Sequence, residues 1–171
     1  MKEILRLGLA LFLICVISAA ILSFVYGLSR ERILSQKKQE ELQGLRKVLP
    51  DALRIEKIEA GDLVYYIGYD KDNKDIGKAI IVSGKGYSSD IVSCVGIDNE
   101  GRILGIEILS QAETPGLGAK IAEPAFLSKF KRRNIKDIGS HDAITGATIS
   151  SCAVINAIKE KIEALIQKLK K

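Results

Sequence analysis

The chain has 171 residues, 47% hydrophobic and 27% charged, with a net charge of +5, three cysteines, one histidine and no tryptophan. This length leaves room for one domain of ordinary size beside a terminal appendage. Cys15, Cys94 and Cys152 offer no Cys-x-x-Cys spacing, which excludes a four-thiolate iron–sulfur site, and neither a Walker loop nor a Gly-x-Gly-x-x-Gly fingerprint is present for nucleotide hydrolysis or dinucleotide binding.

From Leu7 to Ser29 there is no charge, and Leu7 to Tyr26 is mostly Leu, Ile, Val, Ala and Phe. Roughly 20 apolar residues span a bilayer as a helix, so residues 1–28 read as a transmembrane anchor. Ser18-Ala19-Ala20 would suit signal-peptide processing, but the apolar run exceeds the ~7–15 residues of such a segment. Residues 29–59 read as a juxtamembrane helix and linker. Ile33, Leu34, Leu42, Leu45 and Leu49 recur among Lys, Glu and Gln from Arg30 to Leu49, and Pro50-Asp51 stops the helix.

Residues 60–171 read as the functional domain. Leu63 to Tyr69, Lys78 to Ser83, Ile91 to Asp98 and Arg102 to Ser110, rich in Ile, Val and Tyr, are predicted strands. Asp98-Asn99-Glu100-Gly101 predicts a tight hairpin between the last two. Next comes the loop Glu113-Thr114-Pro115-Gly116-Leu117-Gly118, then a short helix start at Ala122-Glu123-Pro124-Ala125-Phe126. Asp142-Ala143-Ile144-Thr145-Gly146-Ala147-Thr148 precedes a closing helix whose Ile155, Ile158, Ile162, Leu165, Ile166 and Leu169 recur at steps of three and four. The succession implies an α+β fold, an antiparallel sheet with packed helices after an N-terminal transmembrane helix.

Two of these blocks carry chemistry. Gly146 permits positive φ and Ala147 adds no bulk beside Thr148, while Asp142 can hold a turn through its own backbone. Thr145, Thr148, Ser150 and Ser151 are all competent N-caps, so an ordinary capped helix start is one reading. The other is a phosphate site at a helix N-terminus. In the upstream loop, Pro115 fixes its own φ and extends Thr114, while Gly116 and Gly118 allow a ligand to approach.

The second reading is favoured by resemblance. The segment Asp142 to Thr148 is similar to the target motif of enzymes that join FMN through its phosphate to a threonine. Glu113 to Gly118 resembles the flavin loop of the FMN-binding domain family. Together they make residues 60 to 170 similar to that family, and with the single apolar segment they resemble the G subunit of the Rnf complex, an ion-translocating ferredoxin:NAD oxidoreductase. The C subunit of the sodium-pumping NADH:quinone oxidoreductase shares both motifs. The resemblance implies covalent FMN on Thr148, with Asp142, Thr145, Gly146, Ala147 and the Glu113, Thr114, Pro115, Gly116, Leu117 and Gly118 loop around it. No independent substrate chemistry is expected. It also implies a flavin transferase for maturation, electron exchange with membrane and iron–sulfur subunits, and a flavin domain outside the cytoplasmic membrane. Charges flanking the anchor (Lys2 and Arg6 before it; Arg30, Arg32, Lys37 and Lys38 after) lean weakly toward the opposite orientation. The chain departs from the family at Gln111-Ala112, where such subunits often have His-Lys, and at Ser88-Ser89 after Gly86-Tyr87, where they often have Gly-Gly. Rival readings are a free-standing flavin carrier and a non-redox membrane-anchored module whose threonine stays unmodified.

The remaining features have plainer readings. The run Lys129-Phe130-Lys131-Arg132-Arg133 is a basic face for an acidic partner or anionic lipid, and with few aromatics no nucleic-acid binding is expected. His141 is a loop residue. Cys152 is a small core residue, and a Cys94–Cys152 disulfide is open on spacing alone.

Overall fold

The computed structural model describes residues 2–61 and 63–169. Its helices are α1 (Lys2–Val48), α2 (Pro124–Leu127) and α3 (Thr148–Leu169), and its strands are β1 (Arg54–Ala60), β2 (Leu63–Tyr69), β3 (Asp75–Lys85), β4 (Asp90–Ile97) and β5 (Ile103–Ser110). Short 3-10 turns fill Gly118–Ala122, Ser128–Phe130, Ile135–Asp137 and Ser140–Asp142. Two compact units result, Met1–Gln39 and Glu40–Lys171.

In the first unit α1 has an 18-residue window of mean hydropathy 2.7, none of it buried against protein. An apolar helix without a protein partner meets its solvent in a bilayer, and it is the one helix among the described residues long and apolar enough to cross. No break follows residue 28: α1 continues without interruption to Val48. The second unit begins at Glu40, ahead of the expected start at 60, because Leu45, Val48 and Leu49 are buried with Ala79 and Cys94 of the sheet.

The sheet is an antiparallel meander in the order β1-β2-β3-β4-β5. β1 lies in the stretch read as linker. Its sequence Arg-Ile-Glu-Lys-Ile-Glu-Ala is charged, and its isoleucines fall three apart rather than two. Its edge position explains both, since charge on an edge strand discourages pairing with other chains. The β4–β5 hairpin forms as expected. Gly101 takes φ 80°, and the Asp98 carboxylate accepts the Glu100 and Arg102 N–H groups at 2.9 and 2.8 Å.

Period-two alternation divides the two cores, with the register shift at Gly96/Ile97 bringing Ile103 and Ile106 to one face. Ile80, Val82, Ile91, Val95, Ile97, Ile103 and Ile106 form one face against Val154, Ile155, Ile158, Ile162 and Leu165 of α3. Phe126 and Phe130 close this core edge to face, with ring centroids 4.9 Å apart. Leu169, expected on the buried stripe, is exposed at the last turn. The end of α1 covers the other face. Both helices come unusually close: a Cβ on Gly96 would lie 2.5 Å from the Val48 carbonyl, and one on Gly84 would lie 2.5 Å from the Ala153 carbonyl. Cys94 faces α1 within its core whereas Cys152 rides on α3, so the sheet separates them and both thiols are free. Burial pushes the Cys94 thiol up to about 12, leaving it a small apolar core group.

Gly96→Ala forces Val48 away from β4, and overpacking of this kind costs ~1–3 kcal/mol. A lower urea midpoint for the folded unit is expected; an unchanged midpoint would show that the end of α1 is not held by this contact.

Candidate functional site

At the sheet end where β3 stops, β4 starts and β5 stops, the two chemical blocks of the sequence meet. The buried Glu113, 5% exposed, lies between them. Its Oε1 accepts the Ser88 and Ser89 N–H groups at 2.9 and 3.1 Å, and its Oε2 accepts the Tyr87 N–H at 3.3 Å and the Ser150 hydroxyl at 2.5 Å. Packing here leaves no spare volume. A Cβ on Gly86 would sit 2.5 Å from Oε1, and one on Gly118 2.7 Å from Oε2. Burial opposes ionisation of Glu113, but the Ser150 hydroxyl and the three amides outweigh it and hold the carboxyl below its ordinary value of 4.5.

The helix start shows which groups remain for a ligand. Ala147 is the N-cap: its carbonyl accepts the Ser151 N–H at 2.9 Å. None of the four hydroxyls expected as caps fills that role. Ser150 is drawn to Glu113, while the buried Ser151 donates to the Ala147 carbonyl at 2.8 Å and accepts the Ile144 N–H at 3.1 Å. Among the described residues no side chain accepts from the Thr148, Ile149 or Ser150 amides. Three free N–H groups at the positive end of a 22-residue helix suit an anionic oxygen cluster such as a phosphate. Gly146 has φ 83°, as its position in the motif requires, and the Thr148 side chain is exposed beside it.

Asp142 shapes this loop from behind. Its Oδ2 accepts the Gly139 N–H at 3.0 Å and its Oδ1 takes the Arg133 guanidinium at 2.7 Å, while Arg133 also donates to the Asp137 carbonyl. Burial opposes ionisation of Asp142 too, yet Arg133 and the Gly139 amide keep its carboxyl below the ordinary 3.8. His141 is exposed at 3.3 Å from Asp142. In the basic run, Arg133 is therefore used internally and Phe130 is core, leaving Lys129, Lys131 and Arg132 on the surface.

A cleft of about 420 Å³ opens between the blocks, lined by Tyr87, Glu113, Thr114, Leu117, Gly118, Gly146, Ala147, Thr148, Ile149 and Ser150. Its rim carries three exposed large side chains, Tyr87 at 73%, Leu117 at 51% and Ile149 at 57%, an apolar collar for a planar ring above an anion-binding floor. Of the expected site residues, Glu113, Thr114, Leu117, Gly118, Gly146, Ala147 and Thr148 line the cleft, and Pro115, Gly116, Asp142 and Thr145 do not. Gly116, at φ 75° with open space around it, sets the loop's path. Tyr87, Ile149 and Ser150 lie outside the set of site residues that the sequence suggests. The Gly86-Tyr87 block is the available signal for Tyr87, and a place in the first turn of the closing helix for the other two.

The two sequence departures also find places. The Ser89 hydroxyl accepts the Ala112 N–H at 2.8 Å, and the Gln111 side-chain oxygen accepts the Glu113 N–H at 2.6 Å, so each stiffens the frame around Glu113. A second cleft of about 480 Å³ lies by the β4–β5 hairpin, lined by Lys78, Asp98, Asn134 and Leu169 among others, and contains none of the motif residues.

The model of the FMN-binding domain matches residues 86–163, and that of the RnfG N-terminal region matches residues 1–48. The chain is 31% identical to the G subunit of the proton-translocating ferredoxin:NAD(+) oxidoreductase complex of Clostridium ljungdahlii, over 87% of this chain and 84% of that one. It is also 31% identical to the G subunit of the ion-translocating oxidoreductase complex of Stutzerimonas stutzeri, over 91% and 78%. The chain belongs to the G-subunit family of ion-translocating oxidoreductase complexes. Its fold is shared with the crystal structure of the C subunit of the Na(+)-translocating NADH-quinone reductase from Parabacteroides distasonis, at a TM-score of 0.62 and 16% identity over 81% of this chain and 96% of that one. The family's FMN-binding segment, residues 86–163, begins at Gly86 and so takes in every residue of the cleft.

Glu113 and Asp142 have folded values below their unfolded ones. The stability they contribute is thus full above the unfolded range and disappears as pH falls through the folded values. Urea midpoints should drop on acidification from pH ~5 to pH ~3, less steeply in Glu113→Gln. Equal slopes in the two proteins would mean that Glu113 is not held ionised by its four donors.

Proposed function

We propose that this protein is the membrane-anchored electron carrier of an ion-translocating oxidoreductase, holding FMN as a phosphoester on Thr148. The observation that carries the reading is the cleft itself, where an exposed threonine hydroxyl, three free helix amides and an apolar collar face one space. When bound, FMN supplies the redox chemistry that no side chain here can supply. The residues provide the rest. The Thr148, Ile149 and Ser150 amides receive the phosphate, Gly146 keeps the approach clear, and Tyr87, Leu117 and Ile149 shield the ring from water.

Attachment is a transfer without redox change. The Thr148 hydroxyl gives up its proton, its Oγ bonds to the flavin-side phosphorus of FAD, and the pyrophosphate bond breaks with loss of AMP. A transferase using FAD and Mg²⁺ does this work, reading the loop that Asp142 and Arg133 hold in shape. A phosphate linkage leaves the ring system electronically intact and prevents loss of the carrier. The flavin domain lies outside the cytoplasmic membrane and exchanges electrons with the membrane and iron–sulfur subunits of its complex, between the ferredoxin and NAD ends. A donor in the cytoplasm then requires redox groups within the bilayer to reach it.

Coexpressed with the transferase, the denatured chain should keep yellow fluorescence and exceed the polypeptide mass by one FMN. Thr148→Ala should lose both, and flavin persisting on that variant in denaturant would overturn the assignment. Orientation is read separately. Glu160 is exposed on α3, so Glu160→Cys in spheroplasts should react with a membrane-impermeant thiol reagent. Labelling only after lysis would place the domain in the cytoplasm.

A further inference from the structure

We propose that Glu113 is the positioning residue of the flavin cleft, a fixed negative charge that pins the Tyr87 turn to the start of α3 and biases the bound flavin against reduction. The inference rests on the assignment of flavin to this cleft and concerns what a cleft-lining carboxylate is for.

Glu113 belongs to the loop that resembles a flavin loop, yet neither of its carboxylate oxygens is left over for a ligand. Both are committed, to three consecutive amides of one turn and to a hydroxyl on the first turn of α3. That pattern joins three separate segments: the turn after β3, the segment after β5, and the helix carrying Thr148. Each contributes a side chain to the cleft: Tyr87, Leu117 and Thr148. The distance between the ring-side collar and the phosphate-side floor is therefore set through one carboxylate.

Its charge has no cation beside it. Among the described residues no lysine, arginine or histidine pairs with Glu113, in contrast to Asp142, which has Arg133. Only amide dipoles, one hydroxyl and the positive end of α3 offset it. The carboxylate lines the cleft and is buried, so solvent screens it poorly. A ring seated there gains electrons in the field of a fixed anion, and each added negative charge meets repulsion. Removal of the charge makes reduction easier.

The test uses the full-length chain in detergent, loaded by the transferase, with circular dichroism establishing the fold. Glu113→Gln keeps the shape and removes the charge, and its flavin midpoint potential should move positive of the parent's; Glu113→Asp should stay nearer the parent. A Glu113→Gln potential equal to the parent's overturns the proposal. If Glu113→Gln does not fold, Ser150→Ala decides. Loss of one charge-assisted hydrogen bond should slow flavin loading roughly tenfold, and loading at the parent rate overturns the positioning role. A parent chain that takes up no flavin removes the functional reading and this inference together, an outcome distinct from either variant result.

Discussion

One buried carboxylate organises this domain's functional end. Glu113 accepts four hydrogen bonds from two segments distant in sequence, and leaving the buried Ser150 hydroxyl unmatched would cost about 1–3 kcal/mol. The frame built on it leaves the Ser150 hydroxyl no part in capping its own helix. The Thr148, Ile149 and Ser150 amides stay available because the N-cap residue, Ala147, has no side-chain acceptor. The bonds to Glu113 fix the turn that carries Tyr87 beside these donors.

The sheet makes this arrangement rigid. Glycines at positions 84 and 96 bring α3 and the end of α1 onto opposite faces at a separation that a single methyl group would disturb. The N-terminus of α3 is therefore held by the core, with Ser151 locking the preceding loop to the helix. Because α1 passes without a break from its apolar segment into that core, the element that anchors the chain is also one that the sheet is built upon.

The general architecture was legible from periodicity. Alternation in the central strands, the three-and-four stripe of α3 and the Asp98–Gly101 turn each specify one local structure, and all three appear. β1 escapes such reading because an edge strand is exposed enough to carry charge, which erases the alternation. Both stretches of α1 were legible as helix, and they form a single element; a boundary drawn by composition at residue 60 does not register the packing that joins Leu45, Val48 and Leu49 to the sheet. At the site, residue types locate the right loops without giving their division of labour. Glu113 reads as a ligand-side group but spends its carboxylate on the protein, while Asp142 holds its turn as its residue type suggests and takes Arg133 in addition. Tyr87 and Ser150 matter through Glu113, remote from both in sequence, and no local pattern records such pairings.

A single cleft framed by Glu113 is proposed to hold both ends of the flavin, and a structure of the flavin-loaded chain tests this most directly. Density should run from the Thr148 Oγ through a phosphate at the α3 amides to a ring among Tyr87, Leu117 and Ile149, with the four bonds to Glu113 intact. Flavin joined to another residue, or a ring seated outside this cleft with the Glu113 bonds broken, would contradict it.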